Sequence, residues 1–493
     1  MTILPADAKV RPAVKKIPSS FHRPLSRRAF ISGALAGAGL MLHAPHAESQ
    51  TCAVPNFSPT IANFTPDTAL AIRERKRVSA LSGAEVTRLR LAYQKCRDLS
   101  VSDPSDPRGF LQQAQIHHCY CGHSAEVHNT YFFLPWHRAF LYFHERILGK
   151  LIGDMSFALP CWDWDDANNQ QLPSIYAQSA GNSLFDANRA VNVPVPMLGA
   201  RAAAMTQTAM KAVTPDAFLG ADWVPVRSTA GNIETGAHNF IHSWVAGGAA
   251  ADMGLQSTAA RDPVFYAHHA NVDRMWTKWL AQGGGRANHG LNDFLNETWE
   301  FFDENKNLVR IKSSDVLNHE AQLRYRYDVA LPSPPSAAPK TTTLMIPVDT
   351  YPPPHSLPIT PKTFTITPSL VEAAALVGAT PALGFTVYLE MEGISIPADT
   401  APFVNVFWGN TDATALTPET DPSFVGVISK FASDTATPHV ERKFSVIFEV
   451  TERANAISPF APSISITFVP TLAGFPPRTF QVAYDALRLR IMH

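Results

Sequence analysis

The sequence predicts an α+β multidomain protein. A mainly α central domain, built around a four-helix bundle, is followed by an all-β C-terminal sandwich of jelly-roll type. Three observations predict this. Histidines recur in two separated, aromatic-rich stretches at spacings that suit helices. A proline-dense segment at 331–361 (LPSPPSAAPK, then YPPPHSLPITP) interrupts the pattern, because proline at that density favours extended chain over helices and central strands. Beyond it, apolar and polar residues alternate in TFTIT, FTVYLEME, FVNVFWGN, FVGVISKF, KFSVIFEV, SISITFV and FQVAYDALRLRI. These short runs are bounded by Pro, Gly and Asp, as in a sandwich.

At 493 residues the chain exceeds one ordinary domain. The expected division is a targeting segment over 1–47, a central domain over 48–330, a linker over 331–361 and the sandwich over 362–493. In the first segment, Ser26-Arg27-Arg28-Ala29-Phe30-Ile31 forms a twin-arginine pattern. A Gly- and Ala-rich apolar run to Leu42 and a small-residue site near Ala47 follow it. That run is too short for a transmembrane helix. The expectation is bacterial export by the twin-arginine route, to the periplasm or outside. The formal net charge of −1, with mixed signs along the chain, predicts neither nucleic acid nor an anionic membrane as partner.

The first histidine stretch is QIHHCYCGHSAEVHNTYFFLPWHRAFLYFHER, residues 115–146. His137 opens a helical segment with Phe140, Leu141, His144 and Leu148. His128 lies in or near a loop, and His117 ends the apolar run from Phe110 to Ile116. His144 is read as a packed histidine. In the second stretch, His238 and His242 stand four apart, on one face of a helix. His268 and His269 follow the Asp262-Pro263 turn, and either can supply a third ligand from a facing helix. A single pair at this spacing is commonly a coincidence. Two groups of three, each in an aromatic surrounding, point to two metal ions side by side, since imidazole is the commonest metal ligand.

LPWHRAFLYFHERIL and RDPVFYAHHANVDRMW resemble the two copper signatures of the tyrosinase, catechol oxidase and haemocyanin superfamily. The match is closest to the long polyphenol oxidases of plants and some bacteria. QIHHCYC, ALPCWDWDD and the Tyr325-Arg326-Tyr327 tyrosines extend it over Ile72 to Asp328. The resemblance implies a dicopper site. Copper A would be bound by His117, His128 and His137, and copper B by His238, His242 and His269. His118 and His268 are passed over, and Asp273 pairs with an arginine or otherwise fixes local packing. With dioxygen as co-substrate, such a site ortho-hydroxylates small monophenols and oxidises o-diphenols to o-quinones.

The resemblance also implies that Glu234 and Asn239 hold a water able to take the phenol proton. A free phenol has a pKa of about 10, so a base is useful. Gln256 stands where plant enzymes tend to have a Phe, which implies a more open or polar pocket rim. Cys121 occupies the position of a cysteine joined by a thioether to the second copper A ligand, here His128. Cys119 would pair with Cys52 in an exported protein, although the family's disulfide is one residue out of register. Cys96 and Cys161 are read as small buried residues. Long relatives use a similar C-terminal sandwich to cover the coppers. The same is expected here, with Phe424, Phe431 or Phe460 as the plug, and with release by proteolysis in the linker, detergent or acid. His439 and His493 are read as bland.

The alternatives are a catechol or o-aminophenol oxidase without monophenolase activity, and a haemocyanin-like dioxygen-binding protein. A dizinc or di-iron hydrolase is disfavoured, because such sites usually include bridging carboxylates. The biological role, melanin formation among others, stays open.

Overall fold

The computed structural model describes residues 61–122, 127–197, 200–222, 228–247, 252–328, 336–337, 340–350, 355–397, 402–430, 443–458, 462–471 and 481–493. All lie within one compact unit, His46–His493. The twin-arginine segment, Cys52, Phe431, His439 and Phe460 fall outside the described residues.

Seven helices position the site: α1 Gly83–Ser102, α2 Phe110–Gly122, α3 Phe133–Ile152, α4 Arg201–Lys211, α5 Pro215–Leu219, α6 Asn239–Val245 and α7 Pro263–Ala281. Helix α1 starts at a capping box in which Ser82 and Glu85 satisfy each other's backbone N–H groups. Helix α3 is buried continuously from Phe133 to Gly149, its charged Arg138, Glu145 and Arg146 included, each of which meets an oppositely charged partner. It stops at Gly153, whose φ of 70° is the left-handed conformation glycine adopts without steric cost. Helix α7 begins with Pro263 in its first turn and the Asp262 side chain accepting from Val264 N.

Helices α3 and α7 are tied together by buried ion pairs. Asp273 of α7 accepts from Arg138 Nε of α3 at 2.5 Å, and from the Tyr325 and Tyr327 hydroxyls at 2.6 Å each. Arg75 bridges Asp273 (3.4 Å) and Glu145 of α3 (2.8 Å). Pairing of Asp273 with an arginine, expected from the sequence, is therefore seen twice.

The C-terminal region is a sandwich of two sheets. With strands β1 Gly220–Ala221, β2 Thr229–Ala230, β3 Thr342–Pro347, β4 Lys362–Ile366, β5 Thr386–Ile394, β6 Phe403–Trp408, β7 Phe424–Ser429, β8 Phe444–Glu449, β9 Ile464–Thr471 and β10 Ala486–Met492, one sheet runs β3-β10-β5-β8-β2-β1 and the other β4-β9-β6-β7. The alternating runs of the sequence become these strands, and the last run splits at Asp485. Two features depart from expectation. The segment 331–361 is not a plain linker: Thr342–Pro347 pairs antiparallel with β10, and His355–Leu357 pairs with Val482–Tyr484. Composition misleads there because an edge strand tolerates proline, as at Pro347. Moreover, the central domain donates β1 and β2 to the sandwich sheet. Ser445 and Val446 pair in parallel with Thr229 and Ala230.

Candidate metal centre

The two histidine groups meet in the interior. Helix α2 presents His117 and Cys121, and α3 presents His137. His128 comes from the loop between these helices, just before Asn129, which adopts a left-handed φ of 56°. Ligand-type atoms of His117, Cys121, His128 and His137 all lie within 4.8 Å of one another, and the same holds for His238, His242, His268 and His269. His242 sits on α6 and His269 on α7. His238 ends a π turn, Glu234–His238, in which Gly236 leaves helical geometry. A loop supplies His128, where the sequence places it, whereas the helical run expected at His238 is a π turn, which does not show in hydrophobic periodicity.

The groups face each other closely. The rings of His137 and His269 stack at 4.1 Å, and His128 and His238 lie 5.7 Å apart. Phe265 fills the space between His117 (4.8 Å) and His269 (4.2 Å), and Phe133 packs on His238 (4.6 Å). Burial and the neighbouring imidazoles hold these histidines below their ordinary range. His137 and His242 are pushed down to about 3, burial being the largest cause in each case. They are neutral at pH 7, with lone pairs available.

Hydrogen bonds define which nitrogen is available. Nδ1 of His137 donates to Phe133 O (2.8 Å), Nδ1 of His242 to Met253 O (2.7 Å), and Nδ1 of His238 to Asn239 Oδ1 (2.9 Å). Each leaves Nε2 as the donor to a cation, an arrangement usual for metal-binding histidines. His242 Nε2 and His269 Nε2 stand 3.4 Å apart. His268 differs. Its Nδ1 accepts from the Trp164 indole N–H at 3.1 Å, so its proton resides on Nε2 and that atom is no ligand. A donor set of imidazoles with one thiol, Cys121, and no carboxylate in either group suits copper.

The other expected site residues are located as follows. Glu234 is buried, and its Oε1 accepts from Asn129 N at 2.8 Å, which fixes the backbone beside His128. Asn239 is buried and its Nδ2 donates to Ser429 Oγ at 2.9 Å. Gln256 is only 2% exposed, with its backbone facing His117. It is therefore buried in the closed protein and does not stand at an open rim. Cys121 is buried within the His117 group. Cys119 is half-buried near Gln115 Nε2 (3.5 Å). Cys96 and Cys161 are buried, as expected, and burial pushes the Cys161 thiol up to about 12. His144 stacks on Tyr266 at 3.8 Å. Phe424 packs edge-on against Phe407 at 5.7 Å. Sequence reasoning missed Ser429, whose only signal was its place at the end of an alternating run.

Fold and site together define a histidine-rich dicopper protein of the tyrosinase type. The description "Common central domain of tyrosinase" matches residues 107–218 and 201–282, and "Polyphenol oxidase middle domain" matches 291–336. The Grenache (Vitis vinifera) polyphenol oxidase structure is 35% identical, covering 60% of this chain and 97% of that one, with a TM-score of 0.53. Latent apple tyrosinase is 27% identical over 88% of this chain and all (100%) of that one, with a TM-score of 0.70. The latent chloroplastic polyphenol oxidase of Prunus armeniaca is 36% identical over 56% of this chain and 52% of its own length. The chain therefore belongs to the tyrosinase and polyphenol oxidase family, and it spans about half the length of the curated relatives it matches.

Those curated relatives are chloroplastic plant proteins, which overturns the expected bacterial export by the twin-arginine route. The physical source of the error is composition: a basic, serine-containing, acid-poor leader is common to plastid transit peptides and export signals. Among the described residues no helix is long and apolar enough to cross a membrane.

Proposed function

We propose that this chain is a latent dicopper phenol oxidase, which uses dioxygen to ortho-hydroxylate monophenols and to oxidise o-diphenols to o-quinones. Copper A is assigned to His117, His128 and His137, and copper B to His238, His242 and His269. The observation that carries the reading is the meeting of two buried imidazole groups ring to ring, with His137 and His269 4.1 Å apart. When bound, the two ions supply the redox chemistry between dioxygen and the phenol. The chain holds the His137, His238 and His242 rings through backbone and amide acceptors, excludes water with Phe133 and Phe265, and orients the phenol.

Glu234 is assigned to removal of the phenol proton through a water, with Asn239 helping to hold that water once the C-terminal sandwich withdraws. Cys121 is assigned to a thioether with His128. The bond forms with loss of two protons and two electrons, taken by dioxygen, and restrains the one ligand supplied by a loop. The sandwich is assigned to shielding. Support comes from Arg201, which pairs with Glu419, and from the β2–β8 pairing.

The test is copper content per chain, together with o-quinone formation from tyrosine and from its catechol counterpart. Both are followed in the intact protein and after the sandwich has been cleaved ahead of Thr342 and separated. Two coppers with turnover appearing on removal is the expected result. A fully loaded protein inert towards both phenols in both forms would overturn the oxidase reading in favour of dioxygen binding.

A further inference from the structure

We propose that Ser429 of the C-terminal sandwich is a positioning residue for copper B. Its hydroxyl fixes the Asn239 amide, and the amide in turn fixes the protonation of His238. The inference rests on the assignment of His238 to copper B.

The argument follows the direction of each hydrogen bond. The Thr235 carbonyl can only accept, and it takes the Ser429 hydroxyl proton. With its single proton committed, Ser429 Oγ can only accept from its other neighbour. Asn239 must then present its NH2 to Ser429, as it does at 2.9 Å. Its carbonyl oxygen is thereby turned to His238 Nδ1, at 2.9 Å. His238 must carry its proton on Nδ1 and leave the Nε2 lone pair for the metal. If Asn239 were flipped, two acceptors would face each other at Ser429, and an NH2 would face Nδ1.

Local geometry explains why this serine can reach. The π turn widens the helix at Gly236 (φ −86°, ψ −105°), beside the Thr235 carbonyl. Ser429 ends β7, its register set opposite Phe403. Phe403 packs edge-on against Phe240 of α6 at 6.2 Å, and the Arg201 guanidinium lies over the Phe240 ring at 5.2 Å. The strand end is thus anchored to the residue after Asn239. Ser429, Asn239 and His238 are all buried, so in the closed protein the relay is dry and unidirectional. Without the sandwich, Asn239 would face water, which both donates and accepts, and the amide would no longer be directed. The same contact also occupies one of the two N–H donors of Asn239.

The test compares full-length Ser429→Ala with the unaltered protein and with Tyr388→Phe, which removes a hydroxyl of the same interface away from the coppers. Two readouts are used. In the metal-free protein, hydrogen exchange of the 234–242 backbone should rise in Ser429→Ala and not in Tyr388→Phe, with the 117–137 segment unchanged. In the copper-loaded protein, chelator competition should release one of the two coppers about tenfold more readily in Ser429→Ala, at the low end of what outer hydrogen-bond partners contribute. Unchanged exchange at 234–242, or equal loosening of both coppers, would overturn the proposal. Because the exchange readout needs no metal, failure of the copper assignment would appear separately, as an unaltered protein that takes up no copper.

Discussion

The buried charge network around Asp273 offers a sharp test of what holds helices α3 and α7, and hence His137 and His269, in place. Three cations, Arg73, Arg75 and Arg138, share two anions, Glu145 and Asp273, all buried. The neighbouring guanidiniums hold the Asp273 carboxyl below the usual carboxylate range against the opposing effect of burial, which is the largest single influence on it. Asp273→Asn keeps the shape but removes one of the two negative charges, and it turns an NH2 towards groups that already donate. Removing one partner from a buried ion pair costs about 3–5 kcal/mol. The Tyr325 and Tyr327 hydroxyls each lose a charge-assisted bond of roughly 1.5–3 kcal/mol before they relax. These terms overlap, so the expected loss is about 4 kcal/mol, a large share of a typical domain's 5–15 kcal/mol. The assay is urea unfolding at pH 7, followed by tryptophan fluorescence because Trp276 lies against Arg138 at 3.7 Å. Lys443→Ala serves as control: its pair with Asp485 is about half exposed on both sides (55% and 52%), and such pairs contribute roughly 0–1 kcal/mol. An Asp273→Asn loss no larger than that of the control would refute the reasoning.

His269→Gln should bind one copper where the unaltered protein binds two, whereas His268→Gln should keep both and lose only stability; metal analysis of purified protein decides. Cys121→Ser should abolish the link to His128, and peptide mass spectrometry of the unaltered protein should show the joined peptides lighter by two hydrogen atoms than their sum. Asp216 accepts from the Tyr388 hydroxyl of the sandwich (3.3 Å), lies near His289 (3.8 Å) and within the field of Lys340, and burial raises it to about 7. Its folded pKa lies above the ordinary carboxylate value of about 4, so its contribution is full below that and is lost as pH rises through about 7. Urea resistance should therefore fall by up to a few kcal/mol between pH 5 and 8, and Asp216→Asn should flatten the fall. Cleavage ahead of Thr342 should leave the sandwich bound, so gel filtration of nicked protein without denaturant should show a single species.

Much of the site was legible because coordination chemistry leaves local marks. His238 and His242 stand a turn apart, His137 opens an apolar helix, and the HH pair follows a proline cap. The choice between His268 and His269 needed the family resemblance at the sequence level. The structure supplies a physical reason in the Trp164 indole, which lies over a hundred positions away along the chain. The sandwich was legible from alternation, but its first strand was hidden by proline. The π turn before His238 left no trace, because periodicity cannot distinguish one added residue from a helix start. Partners across domains, Ser429 for Asn239 and Thr229 for Ser445, are set by tertiary docking. Runs of single-chain pattern do not encode them.

How the sandwich is attached bears on what latency means physically. Its sheet continues into the central domain through β2, its strand β5 sends Tyr388 to Thr214 (2.8 Å), and Glu449 of β8 accepts from Val213 N (2.9 Å). Burial raises the Glu449 carboxyl, as it does that of Asp216, whereas the bonds that each accepts across the interface favour its ionised form. Through Ser429 the sandwich also reaches the Asn239 amide beside His238. A domain joined by sheet, buried carboxyls and a ligand-directing hydroxyl withdraws only when several contacts fail together. Cutting the chain removes the tether but none of these contacts, so separation of the domains, and not cleavage, is the step that opens the site.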